Sequence, residues 1–235
     1  MKPVAIFRFS PTEGPGYFAA FLDRHGIEWN LHAIDEGADV PASALAFSGL
    51  ALMGGPMSAN DRLPWIGPMF ALLRDAVACG VPVVGHCLGG QLLAKALGAR
   101  VTRAAESEIG WGEVTLTANA LAQTWFGEPD RFLSFHWHNE TFSLPEGATR
   151  LAGSTLCANQ AYALGKHIGM QCHVEMTREL IESWIEHGAQ DLATYRGPGV
   201  QSQEEMLRDV EQRVEALTAR ADHVYTHWID GLVRE

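Results

Sequence analysis

The sequence predicts an α/β fold, with a mostly parallel central sheet between two layers of helices and a helical extension at the C-terminal end. Three observations carry this. Strand-like and helix-like segments alternate at short spacing through roughly the first hundred residues, the pattern of a parallel sheet with crossover helices. A glycine-rich turn around Cys87 joins an apolar strand directly to a helix. A Gly197-Pro198-Gly199 break is followed by a long run of helical spacing. A chain of 235 residues suits one such domain with an appendage, and its core is large enough to stand without disulfides.

The elements follow in order. Val4–Phe9 is rich in strand formers and closes at Ser10-Pro11, and Tyr17–His25 reads as a short helix stopped by Gly26. Leu31–Ile34 is a weak strand. Phe47–Met53 is apolar throughout, as a strand buried on both faces requires, and Gly54-Gly55-Pro56 ends it. Ile66–Cys79 has helical spacing and ends at Gly80; Val81–Gly85 is a short apolar strand; Leu88–Leu97 is a helix closed by Gly98. From about Val101 to Cys172 the pattern turns strand-rich, with strands expected at Val114–Thr117, Arg131–His136, Arg150–Gly153, Ala161–Leu164 and Ile168–Cys172. Thr177–His187 is again helical. Ser202 and Glu205 then form a capping box, and Leu207, Val210, Val214, Leu217, Ala221, Val224 and Trp228 recur by threes and fours, one apolar seam on one long helix. Such a seam either packs on its own domain or pairs with a second copy in a homodimer. The expected division is a domain over 1–187 and an extension over 188–235.

Composition narrows the class. A formal net charge of -11 repels phosphate backbones, so nucleic acid is a poor partner. The four cysteines, Cys79, Cys87, Cys157 and Cys172, form no CxxC pair and read as free thiols in a reducing compartment, so a cytoplasmic location is expected. The N-terminal apolar run is too short for a signal peptide and is interrupted by Arg8, and the longest apolar stretch, Ala44–Gly55, cannot span a bilayer.

The sharpest chemical signal is Gly85-His86-Cys87-Leu88-Gly89-Gly90-Gln91, set between strand and helix. A tight turn of this kind needs small residues two before and two after the nucleophile, and it presents the nucleophile at the C-terminal edge of the sheet. It also places the Cys87 sulfur at a helix N-terminus, which favours thiolate over thiol. Cys79, Cys157 and Cys172 have no such setting and read as packing residues. A cysteine nucleophile needs a base, and the base needs an orienting group. His173 and Glu175 follow the apolar strand Ile168–Met170; alternation along a strand would turn both to one face, where the carboxylate could hold the imidazole.

These residues resemble the class I glutamine amidotransferases, most of all the stand-alone branch similar to the glutaminase domain of GMP synthase. The resemblance covers roughly residues 1–185 and implies a flavodoxin-like three-layer sandwich. It implies a Cys87–His173–Glu175 triad, with an oxyanion hole from the backbone N–H groups of Gly55, in Phe47–Ser58, and Leu88. It also implies a substrate contact from Gln91 and a clamp for the substrate's α-amino and α-carboxylate groups at His138, Asn139 and Glu140, within Ser134–Phe142. Glu108–Trp111 and Glu13–Gly16 resemble segments shared in this branch; they read as a strand edge and a helix-start turn, with no catalytic role. His136 and His138 share a strand face, but no third ligand is evident in the sequence, so neither a metal nor any other cofactor is expected. The chain departs from the family pattern at Val174, where proline is usual, and at Asn139-Glu140, where Gly-Asp is usual. No synthase domain follows. The implied activity is hydrolysis of a γ-glutamyl amide through a glutamyl thioester, on glutamine or another γ-glutamyl compound. The alternatives are a glutaminase serving a separate synthase subunit, a non-catalytic sensor, and another cysteine-elbow branch of the fold such as intracellular proteases.

Overall fold

A computed structural model describes residues 1–234. Strands β1 (Val4–Arg8), β2 (Trp29–Ala33), β3 (Gly49–Leu52), β4 (Val83–His86), β5 (Val101–Leu116), β6 (Arg131–Phe142), β7 (Thr149–Gly153), β8 (Ala161–Leu164) and β9 (His167–Met170) form one nine-stranded sheet in the order β2-β1-β3-β4-β9-β8-β7-β5-β6. The first five strands in that order are mutually parallel. From β9 outward the remaining pairings are antiparallel. The β3 and β4 residues are all buried, as expected of strands covered on both faces.

Helices α1 (Gly16–Arg24), α4 (Ala120–Phe126), α5 (Arg178–His187) and α8 (Val210–Asp230) cover one face, where Phe18, Phe21, Trp125, Ile181 and Val224 join one apolar cluster. Helices α2 (Ile66–Cys79) and α3 (Leu88–Ala96) cover the other, with Met69, Leu72, Leu92 and Leu93 in a second cluster. The three layers and the parallel centre are those the sequence predicts. Two short helices, α6 (Ala189–Thr194) and α7 (Gln203–Leu207), complete the chain order between α5 and α8.

Four expectations are corrected. The single long C-terminal helix is two helices: the capping box of Ser202 and Glu205 starts α7, and Asp209, at φ 53°, breaks the path before α8 begins. The strand expected at Val114–Thr117 is the end of β5, sixteen residues long, whose charged first half hides its extended character. Strand β9 ends at Met170, so His173 and Glu175 lie on an irregular segment beyond it. Cys79 is exposed near Asp75 rather than packed, whereas Cys157 and Cys172 are buried.

Residues 188–234 enter the main core. On α8, Leu217, Ala221, Val224 and Trp228 are buried against the same cluster as α1 and α4, while Leu207 on α7 stays exposed. Arg220 pins the helix down: its guanidinium donates to the carbonyls of Phe126, Gly127 and Pro129 and stacks on the Phe132 ring at 4.7 Å. No helix among the described residues is long and apolar enough to cross a membrane.

Candidate active site

Parallel strands end on one edge, and the connections leaving that edge carry the candidate residues: Glu13 after β1, Gly54-Gly55 after β3, Cys87 after β4 and His173 after β9. Glu13, Gly55 and Cys87 open on a cavity of about 470 Å³, lined also by Gln91, His138 and Asp191 among others, and His173 is buried next to it.

Cys87 occupies a strained turn with φ 48° and ψ -104°, between β4 and the first residue of α3. Its N–H donates to the Met170 carbonyl at 2.8 Å, tying the turn to β9. The glycines around it have no room for a side chain. A Cβ on Gly85 would lie 2.5 Å from the Gly89 carbonyl carbon, and one on Gly89 would strike the Leu52 carbonyl oxygen. Leu88, first in α3, carries an N–H that the helix itself leaves unused. A Cβ on Gly55 would lie 2.8 Å from the Leu88 side chain, so the loop and the helix start that carry the two expected oxyanion donors lie side by side. The Gln171 amide donates to Cys87 Sγ at 3.3 Å, and Gln171 in turn accepts from Gln91 at 3.1 Å.

His173 and Glu175 come together as expected but by another route. His173 forms an isolated bridge with Phe135: the His173 N–H donates to the Phe135 carbonyl, and the Ser134 hydroxyl donates to the His173 carbonyl. Its Nδ1 then meets Glu175 Oε1 at 2.6 Å, and the Trp184 ring packs edge-on against the imidazole at 4.7 Å. Burial alone would lower the His173 pKa; the Glu175 charge and the Cys87 sulfur outweigh it and hold the imidazole well above ordinary histidine. Glu175 responds in the opposite sense: burial would raise it, but His173 and His86 bring it down to about 2. Val174, in place of the usual proline, is fully buried between the two.

Behind the pair lies a group invisible in the sequence. His86 sits 3.9 Å from Glu175, and its Nε2 meets the Tyr225 hydroxyl of α8 at 2.9 Å. Burial lowers the His86 pKa.

The expected clamp borders the same cavity. Glu140 accepts from the Ser58 hydroxyl at 2.8 and 3.0 Å, and His138 Nδ1 meets the Glu140 carbonyl at 3.0 Å. Asn139 donates to the Tyr195 hydroxyl, which brings the end of α6 against the clamp. Gln91 is buried beside it.

The sequence reading found no third ligand beside His136 and His138, and the structure supplies one. Glu108, from the segment left without a role, stands with both histidines, their ligand-type atoms within 4.8 Å of one another. Its carboxylate already accepts from Ser154 at 2.7 Å and Gln160 at 2.7 Å, and lies 3.0 Å from His138 Nε2. Both ring nitrogens of His138 therefore face acceptors, and the group anchors the clamp strand. Burial lowers the His136 pKa to about 4.

Glu13 is the other residue given no role. Its carboxylate borders Gly54 on the side of the His173 ring and opens on the cavity. Burial raises its pKa to about 7, with the charge of His173 pulling the other way.

Comparison with known proteins identifies the family. The family description "Glutamine amidotransferase class-I" matches residues 19–187. A solved glutamine amidotransferase from Methylobacillus flagellatus superposes with a TM-score of 0.98 at 47% identity, covering 100% of this chain and 97% of that one. A glutamine amidotransferase-like protein of Salmonella typhimurium is 34% identical over 194 residues, covering 79% of this chain and 80% of that protein. Gamma-glutamyl peptidase 3 of Arabidopsis thaliana is 27% identical over 177 residues, 71% of each chain. The chain belongs to the class I glutamine amidotransferase family of enzymes.

Proposed function

We propose that this chain hydrolyses γ-glutamyl amides, with Cys87 as nucleophile, His173 as base and acid, and Glu175 as the group that orients His173. The observation behind the reading is the buried His173–Glu175 pair at 2.6 Å beside a cysteine held at a helix N-terminus and open to a cavity.

The geometry supports the following steps. In this reading Cys87 reacts as its thiolate, with the α3 N-terminus, the Gln171 amide and the His173 ring around the sulfur. The sulfur adds to the γ-carbonyl carbon, and the Gly55 and Leu88 N–H groups receive the oxyanion. As the C–N bond breaks, His173 gives its proton to the departing nitrogen. Water then loses a proton to His173 and adds to the thioester, releasing glutamate and the thiolate. Gln91, the His138–Glu140 segment and its Glu108 anchor hold the glutamyl moiety. The peptidase named in Arabidopsis makes peptide-like γ-glutamyl amides natural candidates beside glutamine.

The test is release of glutamate and of ammonia or amine from glutamine and a panel of γ-glutamyl amides. Cys87→Ala is expected to lose at least about 10⁴-fold in kcat/KM with its melting temperature near that of the parent. Turnover that survives this substitution would overturn the assignment. An inert parent whose Cys87 also resists a glutamine-like alkylating agent would replace the enzyme with a sensor on the same fold.

A further inference from the structure

The cavity extends beyond what a glutamyl group fills: volumes of about 300–1,000 Å³ hold much larger ligands, and this one measures about 470 Å³. Its charge is lopsided. Three carboxylates line it, Glu13, Glu140 and Asp191, and no lysine or arginine does. Glu140 belongs to the clamp, where a carboxylate suits the substrate's α-ammonium group. Glu13 and Asp191 are left over.

Position gives these two a purpose. The departing nitrogen must lie at His173 to take its proton. Glu13 stands on one flank of the imidazole, across Gly54. On the other, Trp184 packs edge-on against the His173 ring, and Trp137 packs edge-on against Trp184 at 6.2 Å. The Trp137 indole N–H donates to Asp191 at 2.9 Å, which fixes that carboxylate at the rim. The Trp184 indole N–H donates to the Thr12 carbonyl at 2.8 Å, so the same ring holds the loop that carries Glu13. Gly188, at the corner between α5 and α6, lies so close to the Trp137 ring that a Cβ there would overlap it. The wall is thus built and fixed, and it pairs carboxylates with indole rings, the combination that receives organic ammonium groups.

We propose that Glu13, Asp191, Trp137 and Trp184 form a leaving-group subsite for cationic amines, so that the preferred substrates are γ-glutamyl amides of diamines or polyamines. This rests on the hydrolase reading of the same site. The balanced reaction joins water to the γ-glutamyl amide and yields glutamate and the free amine, the C–N bond being exchanged first for a C–S bond and then for C–OH. A leaving group that carries a carboxylate, as an amino acid does, meets the Asp191 carboxylate with no lysine or arginine on the cavity wall to offset it.

The experiment uses three γ-glutamyl amides of matched length, those of 1,4-diaminobutane, butylamine and 4-aminobutanoate. The expected order of kcat/KM is diamine, butylamine, aminobutanoate, with about tenfold per step as a charge-assisted contact gives. Asp191→Asn and Glu13→Gln should each narrow the ratio between the first and the last. Equal rates, or preference for the aminobutanoate amide, would overturn the subsite. The same three amides titrated calorimetrically into Cys87→Ser separate this proposal from the hydrolase reading. The same affinity order without turnover by the parent would sink the hydrolase and keep the subsite; equal affinities would sink the subsite alone.

Discussion

On the Cys87 side of the cavity, position is set by the backbone. Gly85 and Gly89 allow main chain to touch main chain, Cys87 is held at a positive φ, and the Met170 carbonyl fixes its N–H. On the Asp191 side, position is set mainly by side chains: an indole holds a carboxylate, an asparagine holds a tyrosine, and the supporting helix α6 has six residues, none buried. The difference teaches where each property resides. A backbone-built turn cannot be altered without disturbing the sheet, which suits the fixed chemistry proposed for Cys87. A side-chain wall on a peripheral helix tolerates substitution more readily, which suits the choice of leaving group proposed for Asp191.

Three further substitutions would break or sharpen that comparison. The largest effect is expected from Glu175→Gln, which should lower kcat on the order of a thousandfold by releasing the His173 ring. It should also change the response to pH. Glu175 is held at about 2 against an ordinary 4.5, so its stabilising contribution is complete above about pH 4.5 and lost as pH falls towards 2. His173, held high, has the opposite sign: its contribution is complete below about pH 6.5 and lost as pH rises through the folded value. Denaturant titrations across pH should show both limbs in the parent and neither in Glu175→Gln. Equal acid limbs in the two proteins would mean that the carboxylate is not held by the imidazole.

Gly89→Ala should come next, costing about 2–3 kcal/mol in stability because its Cβ meets the fixed Leu52 carbonyl. The measurement is chemical denaturation. A neutral result would show that the turn can relax, and the contrast between the two sides would weaken. The smallest effect belongs to Tyr225→Phe, about 1 kcal/mol, through loss of one buried hydrogen bond to His86. A drop in kcat of less than tenfold alongside it would mark His86 as support for Glu175; no change in either quantity would show that α8 does not bear on the site.

How much of this was legible depends on how each part is made. The elbow can be read because steric necessity writes itself locally: Gly85, Cys87, Gly89 and Gln91 fall within seven residues. His173 and Glu175 can be read from their residue types, although the strand meant to align them stops at Met170 and tertiary contacts with Phe135 and Ser134 do the aligning. Glu13 and Glu108 stand out as segments but not as functions, since their roles depend on which strand end lies beside which. Gln171, Asp191, Tyr195 and Tyr225 leave no signal. Each is an ordinary polar residue, and its partner is 54 to 139 positions away: Gln171 to Cys87 at 84, Asp191 to Trp137 at 54, Tyr195 to Asn139 at 56 and Tyr225 to His86 at 139. The break at Asp209 is equally silent, because aspartate is common both inside and between helices.

Tyr225 and Trp228 lie on the last helix, yet they pack on Phe18 near the start of the chain and reach His86 beside the elbow. Without α8 in place, Phe18 and Phe21 lose aromatic cover, and the His86 ring beside Glu175 keeps only the Leu52 carbonyl as a hydrogen-bond partner. Docking of this helix therefore joins completion of the hydrophobic core to completion of the proposed triad's support.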